Sequence, residues 1–197
     1  PVECWQPIQG GTARAMDFMA KHGIQGMIGG GSAEGGAMQK FVSAWQEAHA
    51  RAGKHIDPGE RLCFGFHFHI AESREKAARE AGKYYEENLK VFGELRLVRA
   101  LTEEQIVIMR DRHRAPTAKL PRIEEAIASG GFLCGPPDQM IEQLKAIEAK
   151  YPGLDRVAVS LPVGVSKAVA LEQLERFATE VMPAFTRAKI PEPALAQ

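Results

Sequence analysis

The sharpest chemistry in the sequence lies in Gln9-Gly10-Gly11-Thr12-Ala13, where a strand end turns through two glycines into a helix N-terminus. Unpaired backbone N–H groups and the positive end of a helix dipole face such a turn. Glycines admit a ligand close to the backbone and the Thr12 hydroxyl adds a donor, so the arrangement suits a phosphate. Ordinary turn-and-cap chemistry with no ligand uses the same residue types. A second cluster, Gly29-Gly30-Gly31-Ser32, follows directly on Gly26-Met27-Ile28. Glycines at the C-terminal end of a barrel strand let a planar ring or a phosphate lie against the backbone; a plain surface loop is the competing reading. Neither cluster has a P-loop lysine or Gly-x-Gly-x-x-Gly spacing in a dinucleotide-binding context, so no nucleotide motif is assigned.

His67 and His69 alternate with Phe66, Phe68 and Ile70, so both face one side of a strand, a placement that can hold a metal. No second histidine cluster or carboxylate set stands at another strand end, so no metal site is assigned. The pair reads as packed interior or rim histidines, one of which could donate a hydrogen bond to a bound ligand. Trp5 and Trp45 read as core or interface aromatics. Arg110, Arg112, His113 and Arg114 form a local basic patch that reads as solvated surface.

The elements that must position these residues follow from periodicity. Residues 2–8 read as a strand with Pro7 at its end. Ala15, Phe18, Met19 and His22 give a helical stripe that Thr12 can cap and Gly23 stops. Gly26-Met27-Ile28 reads as a second strand, residues 41–51 as a helix and residues 62–70 as a third strand. Ser73 caps a charged helix over 74–89, with Glu75/Arg79 and Glu86/Lys90 spaced for ion pairs. After a helix at 138–150, residues 155–161 form the fourth strand, and the last helix carries Leu171, Leu174, Phe177, Ala178 and Val181 on one face. Residues 102–112, with a Thr102/Gln105 capping box, and the proline-broken stretch 114–121 interrupt the alternation. We read 90–134 as a helical insertion or lid within a single domain spanning 1–197.

Alternating strands and helices predict an α/β fold with parallel strands and right-handed crossovers. Four parallel strand-helix units, with the helical insertion before the last, make the C-terminal half of a TIM-type (β/α)8 barrel. A small open doubly wound sheet is the competing geometry. The sequence opens on Pro1 and enters a strand at once, which we read as an incomplete barrel whose N-terminal strands are missing.

Lysines plus arginines balance aspartates plus glutamates at 25 each, which gives no field to draw the chain onto nucleic acid or an anionic membrane. Cys4, Cys63 and Cys134 are odd in number and widely spaced, unlike a disulfide framework, and suggest reduced thiols in a cytoplasm. No stretch approaches the roughly 20 apolar residues that span a bilayer.

Several segments together resemble the bacterial-luciferase-like flavin-dependent monooxygenase family. Pro1-Val2-Glu3-Cys4-Trp5, followed by Ala15-Met16-Asp17-Phe18-Met19-Ala20-Lys21-His22-Gly23-Ile24, is similar to the family's fifth strand and following helix. His69-Ile70-Ala71-Glu72-Ser73-Arg74-Glu75-Lys76-Ala77 is similar to its seventh strand and the turn after it. Gly135-Pro136-Pro137-Asp138-Gln139-Met140-Ile141-Glu142-Gln143-Leu144 and Gly153-Leu154-Asp155-Arg156-Val157 resemble the helix before the eighth strand and the entry to that strand, and 177–183 resemble the C-terminal helix end.

The resemblance implies a β/α barrel that binds reduced flavin mononucleotide (FMN), supplied by a flavin reductase or already bound, and uses O2 to oxygenate a small organic substrate. It maps the phosphate loop onto Gly10, Gly11 and Thr12, and the ring contact onto Gly29 and Gly30. A homodimer is the assembly it implies. A deazaflavin-dependent oxidoreductase of the same superfamily, and a non-catalytic flavin-binding or dimerising half-barrel, remain open beside it. The chain departs from the family in having Gly11 and Ala13 where some relatives place acidic or hydroxyl groups, and Pro136 where a capping Thr or Ser is usual. No catalytic residue is assigned, because the family's histidine near the flavin belongs to the first four strands.

Overall fold

Strand and helix alternate through the computed structural model, which describes residues 2–8, 12–29, 37–98, 101–154 and 156–185. Strand β1, Trp5–Pro7, leads to helix α1, Ala13–His22. Met16, Met19 and Ala20 are the buried side of α1, and Gly23 ends it in the left-handed region with φ 71°, where its N–H reaches the Met19 carbonyl. A side chain would strain that backbone, which is why glycine stops the helix there. Strand β2 is Gln25–Gly29, and helix α2, Ala37–Arg51, buries Phe41, Val42, Trp45 and Ala48 at helical spacing. Trp45 is fully buried, as its sequence reading required.

Strand β3, Leu62–Ile70, is the longest of the sheet and buries Leu62, Phe64, Phe66, Phe68 and Ile70 on one side. Helix α3, Arg74–Glu94, starts at Ser73, whose Oγ accepts the Lys76 N–H at 3.1 Å. Its ion pairs differ from the expected ones: Lys76 pairs with Glu72 and Glu80, and Lys90 pairs with Glu87. All of these side chains stand in solvent, where pairings at three and four residues compete on nearly equal terms. Helix α4, Glu103–Met109, carries the expected reciprocal Thr102/Gln105 capping box. A 3-10 turn at Ala115–Thr117 and helix α5, Ile123–Ala128, lead to strand β4, Phe132–Gly135. Helix α6, Pro137–Lys150, begins with Pro136 at the cap and Pro137 in the first turn, where a missing N–H costs nothing. Strand β5, Arg156–Ser160, and helix α7, Lys167–Arg176, follow, and α7 runs on into a π turn at Phe177–Val181.

Every strand pairing is parallel. Residues 63–65 of β3 pair with both β2 and β5, which therefore take opposite edges of β3. His67 pairs with both Phe132 and Ser160, so β4 and β5 are also on opposite edges. Thus β4 shares an edge with β2 and continues beyond its C-terminal end, and the order across the sheet is β1-β2-β3-β5. These are the strands of the four expected units. The extra strand β4 is four residues long and buried throughout, too short for its own sequence period to declare it.

Two cores result. On one face Phe64, Phe68 and Ile70 pack with Met16, Trp45, Met140 and Val181 from the flanking helices. On the other, Phe132 and Cys134 pack under Ala77, Ala81 and Tyr85 of α3, with Ile106 of α4 and Ile123 of α5. Burying such side chains stabilises by about 1.5–3 kcal/mol each.

The expected apolar face of α7 is corrected by the structure. Leu171 and Leu174 are 57% and 47% exposed, while Gln173 is 2% exposed. Gln173 bonds both the N–H and the carbonyl of Ile70, at the point where β5 has ended and the edge of β3 would otherwise go unpaired. Satisfying those buried backbone groups sets the rotation of the helix and turns the two leucines outward.

Candidate functional site

The register of the sheet decides which side chains share the face that carries Trp5. Pairing of Trp5 with Gln25, Met27 with Cys63, and Cys63 with Arg156 puts all of these on one side. The next level holds Gly29, Gly65 and Ala158, which are direct partners across β2, β3 and β5. Above it stand His67 and Ser160. Three neighbouring strands therefore present almost bare backbone at one level. A Cβ built on Gly29 would meet no heavy atom within 4 Å, and one on Gly65 would lie 3.8 Å from the Gly29 Cα. The rung is open above the backbone and flat, a shape that accepts a planar ring.

Below the rung, Arg156 lies 5.1 Å from the centroid of the Trp5 ring and 3.1 Å from the Glu3 carboxylate. These contacts join β5 to β1 across the two intervening strands and curl the face. Toward the C-terminal ends of the strands, Phe132 stands 6.1 Å from the His67 ring, and Tyr85 of α3 packs edge-on to Phe132 at 6.0 Å.

The two histidines have separate partners. His67 Nδ1 is 3.1 Å from the Ser160 hydroxyl. Burial pushes the His67 pKa below the usual histidine value, opposed by a hydrogen bond to the Ser160 backbone. His69 is 4% exposed, and its Nε2 is 3.1 Å from the Glu80 carboxylate of α3. Among the described residues no group of three or more His, Cys, Asp or Glu side chains is placed to hold a metal. Cys63 and Cys134 are buried and in no disulfide, and burial pushes Cys134 up to about 12, which keeps it protonated and unreactive at neutral pH.

Of the residues expected to hold a ligand, Thr12 and Gly29 are described, whereas Gly10, Gly11 and Gly30 lie outside the described residues. Thr12 sits at the N-cap of α1, but its side chain makes no capping bond. That corrects the side-chain capping role expected for it: Thr12 stands at the N-cap with an extended backbone (ψ 136°) and an exposed side chain that makes no capping hydrogen bond. Gly29 is exposed at the end of β2. The Ile8 N–H donates to the Met27 carbonyl at 2.8 Å, so the pairing of β1 with β2 continues past Pro7. Gly65, Ala158 and Ser160 were not among the expected site residues. Gly65 shares the alternating set of His67 and was legible as facing that side. Ala158 and Ser160 become relevant only through the β3–β5 register.

A separate cleft of about 340 Å³ opens at the end of β3 between α3 and α7, lined by His69, Lys76, Arg79, Lys83, Gln173 and Arg176 among others. Its lining includes neither Thr12 nor any residue of the glycine rung. Its cations are partly spent on neighbouring carboxylates, Lys76 on Glu72 and Arg176 on Glu180. We place the candidate site at the rung, where the backbone is open.

The chain matches the family model described as luciferase-like monooxygenase over residues 7–155. No curated protein sequence matches it. Among solved structures it is similar to the monooxygenase RslO1 from Streptomyces bottropensis, at 16% identity and a TM-score of 0.61, over 93% of this chain and 48% of that one. It is also similar to the oxygenating constituent of 3,6-diketocamphane monooxygenase from the CAM plasmid of Pseudomonas putida, a type II Baeyer-Villiger monooxygenase solved in complex with FMN. That match has 17% identity and a TM-score of 0.59, over 95% of this chain and 50% of that one. A third is the long-chain alkane monooxygenase LadA, at 15% identity and a TM-score of 0.59, over 95% of this chain and 43% of that one. At such identities the likeness is one of fold, and this chain spans about half the length of the structures it matches.

Proposed function

This chain belongs to the luciferase-like monooxygenase family, and from that premise we propose that it is the C-terminal part of an FMN-dependent monooxygenase acting on a small organic substrate with O2. The observation that carries the proposal is the in-register rung of Gly29, Gly65 and Ala158. It fits a flavin on two counts. An almost bare backbone surface gives a ring somewhere to lie, and the Thr12 hydroxyl, which makes no capping bond, with the first-turn N–H groups of α1 gives a phosphate something to bind.

When bound, reduced flavin supplies the electrons for oxygen chemistry, and the remaining work falls to the protein. In this reading Gly10, Gly11 and Thr12 hold the phosphate through backbone donors and one hydroxyl. Gly29 and Gly30 let the ring approach the end of β2, and Gly65 and Ala158 extend that floor. The segment 90–134, whose helices pack with α3 over Phe132 and Cys134, acts as the lid that keeps water from the ring. A flavin reductase as electron source and a homodimeric assembly belong to the same proposal.

Equilibrium dialysis of the chain against FMN, riboflavin and a phosphorylated deazaflavin tests it. The expected order is FMN retained well and riboflavin retained at least tenfold more weakly, because riboflavin lacks the phosphate. Equal retention of FMN and riboflavin would contradict the role given to Thr12 and its loop. Tighter retention of the deazaflavin would replace the monooxygenase by a deazaflavin-dependent oxidoreductase.

A further inference from the structure

Helices α3 and α7 stand on either side of the cleft at the end of β3, and both line it with polar stripes. Lys76, Arg79, Glu80 and Lys83 form one wall, at the three- and four-residue spacing that puts them on one side of α3. Val169, Glu172, Gln173 and Arg176 form the other at the same spacing on α7. Neighbouring helices ordinarily close such a seam with apolar side chains. Here α7 turns Leu171 and Leu174 to solvent instead, and about 340 Å³ is left between the helices. Among the described residues no ion pair crosses that space: Lys76 pairs with Glu72 and Glu80, and Arg176 with Glu180.

The two walls carry charge that neighbours do not neutralise. Arg79 and Lys83, about one turn apart on α3, enter no ion pair among the described residues, and Lys83 lies over the Tyr84 ring at 4.7 Å. Glu172 on the opposite wall is unpaired as well, so two free cations face one free carboxylate. The floor adds a polar atom. His69 is 4% exposed, and its Nε2 lies 3.1 Å from the Glu80 carboxylate. A carboxylate only accepts, so Nε2 carries the proton of the neutral ring and Nδ1 is left as an acceptor. Nδ1 has no partner among the described residues, yet it is not one of the enclosed unpartnered atoms, which are His49 Nε2, Arg61 Nε, Gln139 Oε1 and Gln143 Oε1. Solvent therefore reaches it, and His69 lines this cleft.

We propose that the cleft between α3 and α7 binds a small organic acid that also carries a hydroxyl: the carboxylate meets Arg79 and Lys83, and the hydroxyl donates to Nδ1 of His69. A guanidinium takes a carboxylate through two N–H groups at once, and a second cation beside it strengthens the hold. Glu172 repels a second carboxylate, which favours an acid with one. The volume lies at the small end of ligand sites. His69 belongs to the same alternating set as Gly65 and His67, so the cleft adjoins the face that carries the rung, toward the C-terminal end of β3. That the acid is the substrate oxidised on the flavin rests on the function proposed above. That the cleft binds it does not.

The test titrates the ¹⁵N-labelled chain, without flavin, with 4-hydroxybenzoate, benzoate and 4-hydroxybenzyl alcohol while the backbone amides are followed. 4-Hydroxybenzoate should move the amides of 69–84 and 167–176 in a saturable way. Benzoate, which lacks the hydroxyl, should bind about threefold to tenfold more weakly, and the uncharged alcohol about tenfold or more. Arg79→Gln combined with Lys83→Gln changes two exposed side chains, so the thermal midpoint should hold while 4-hydroxybenzoate falls to the affinity of the alcohol. No saturable shift, shifts centred away from the cleft, an alcohol that binds as well as the acid, or an unchanged affinity in the double variant would each overturn the site. Equal affinities for benzoate and 4-hydroxybenzoate would overturn the contact with His69. Acid binding in a chain that retains no FMN keeps the cleft and removes its link to the flavin, whereas FMN retention without acid binding overturns the cleft alone.

Discussion

Gln173 of α7 and Ile70 of β3, 103 residues apart in the chain, exchange two hydrogen bonds: the Ile70 N–H donates to Oε1 at 2.6 Å, and Nε2 donates to the Ile70 carbonyl at 3.0 Å. The side-chain amide thus does what a further residue of β5 would have done. Arg176 adds a third bond, from Nη1 to the same carbonyl at 3.1 Å. In Gln173→Leu the carbonyl keeps Arg176 while the N–H is buried without a partner, so the chain should lose about 1–3 kcal/mol in urea unfolding. Leu171→Ser and Leu174→Ser, on the exposed side of the same helix, should each stay within about 0.5 kcal/mol of wild type. The opposite ranking would mean that the leucines, not the glutamine, seat the helix.

Glycine positions separate structural from ligand-facing roles. A Cβ on Gly26 would lie 2.6 Å from Ile8 Cδ1 and 2.8 Å from Leu62 Cδ2, and one on Gly59 would lie 2.5 Å from the Tyr151 carbonyl oxygen and 2.6 Å from the Leu154 nitrogen. Gly26→Ala overpacks a core and should cost about 1–3 kcal/mol; Gly59→Ala meets backbone and should cost at least as much. Gly29→Ala meets nothing and should leave the thermal midpoint unchanged. Calorimetry on the three variants checks the order.

His49 makes stability depend on pH. It is fully buried, bonded through Nδ1 to the Trp45 carbonyl at 3.0 Å, and burial holds its pKa below the usual value, with Arg61 and Lys54 adding to the effect. His67 is shifted the same way. With a folded pKa below the unfolded one, the unfolded chain binds more protons as pH falls through about 6.5. Stability should therefore be level above about pH 7 and decline below it, until the folded-state values are reached. Urea midpoints across pH 5–8 measure this, and His49→Gln should flatten part of the slope. A midpoint that rises on acidification would contradict the assignment.

The capping box of α4 is open to a simple check. The Thr102 Oγ1 accepts from the Gln105 N–H at 3.2 Å, while the Gln105 Oε1 accepts from the Thr102 N–H at 2.9 Å. Thr102→Ala should cost about 1 kcal/mol, and faster amide exchange should be confined to 101–109.

Much of this architecture was legible in the residues because its signals are local. Ser73 and Thr102 announced their helix starts, Gly23 its helix end, and the alternation of 62–70 the longest strand. Strand β4 escaped because four buried residues between two helices carry no period of their own. The exposed leucines of α7 misled for another reason: hydrophobic spacing reports a face only when burial decides the rotation, and here the unpaired end of β3 decided it. The rung was half visible. Gly29 and Thr12 stood out by type and place, but Ala158 and Ser160 are unremarkable residues that acquire a role through pairing with a strand some 90 positions earlier. No local pattern encodes that distance.

The central claim is that a flavin lies on the Gly29–Gly65–Ala158 rung, and titration of the chain with FMN while following flavin fluorescence tests it most directly. The wild-type chain should change the fluorescence in a saturable way, and Gly29→Val, which places a branched side chain over the rung, should weaken binding by at least tenfold with an unchanged thermal midpoint. No saturable change with wild-type chain, or an affinity in Gly29→Val equal to wild type, would contradict the account.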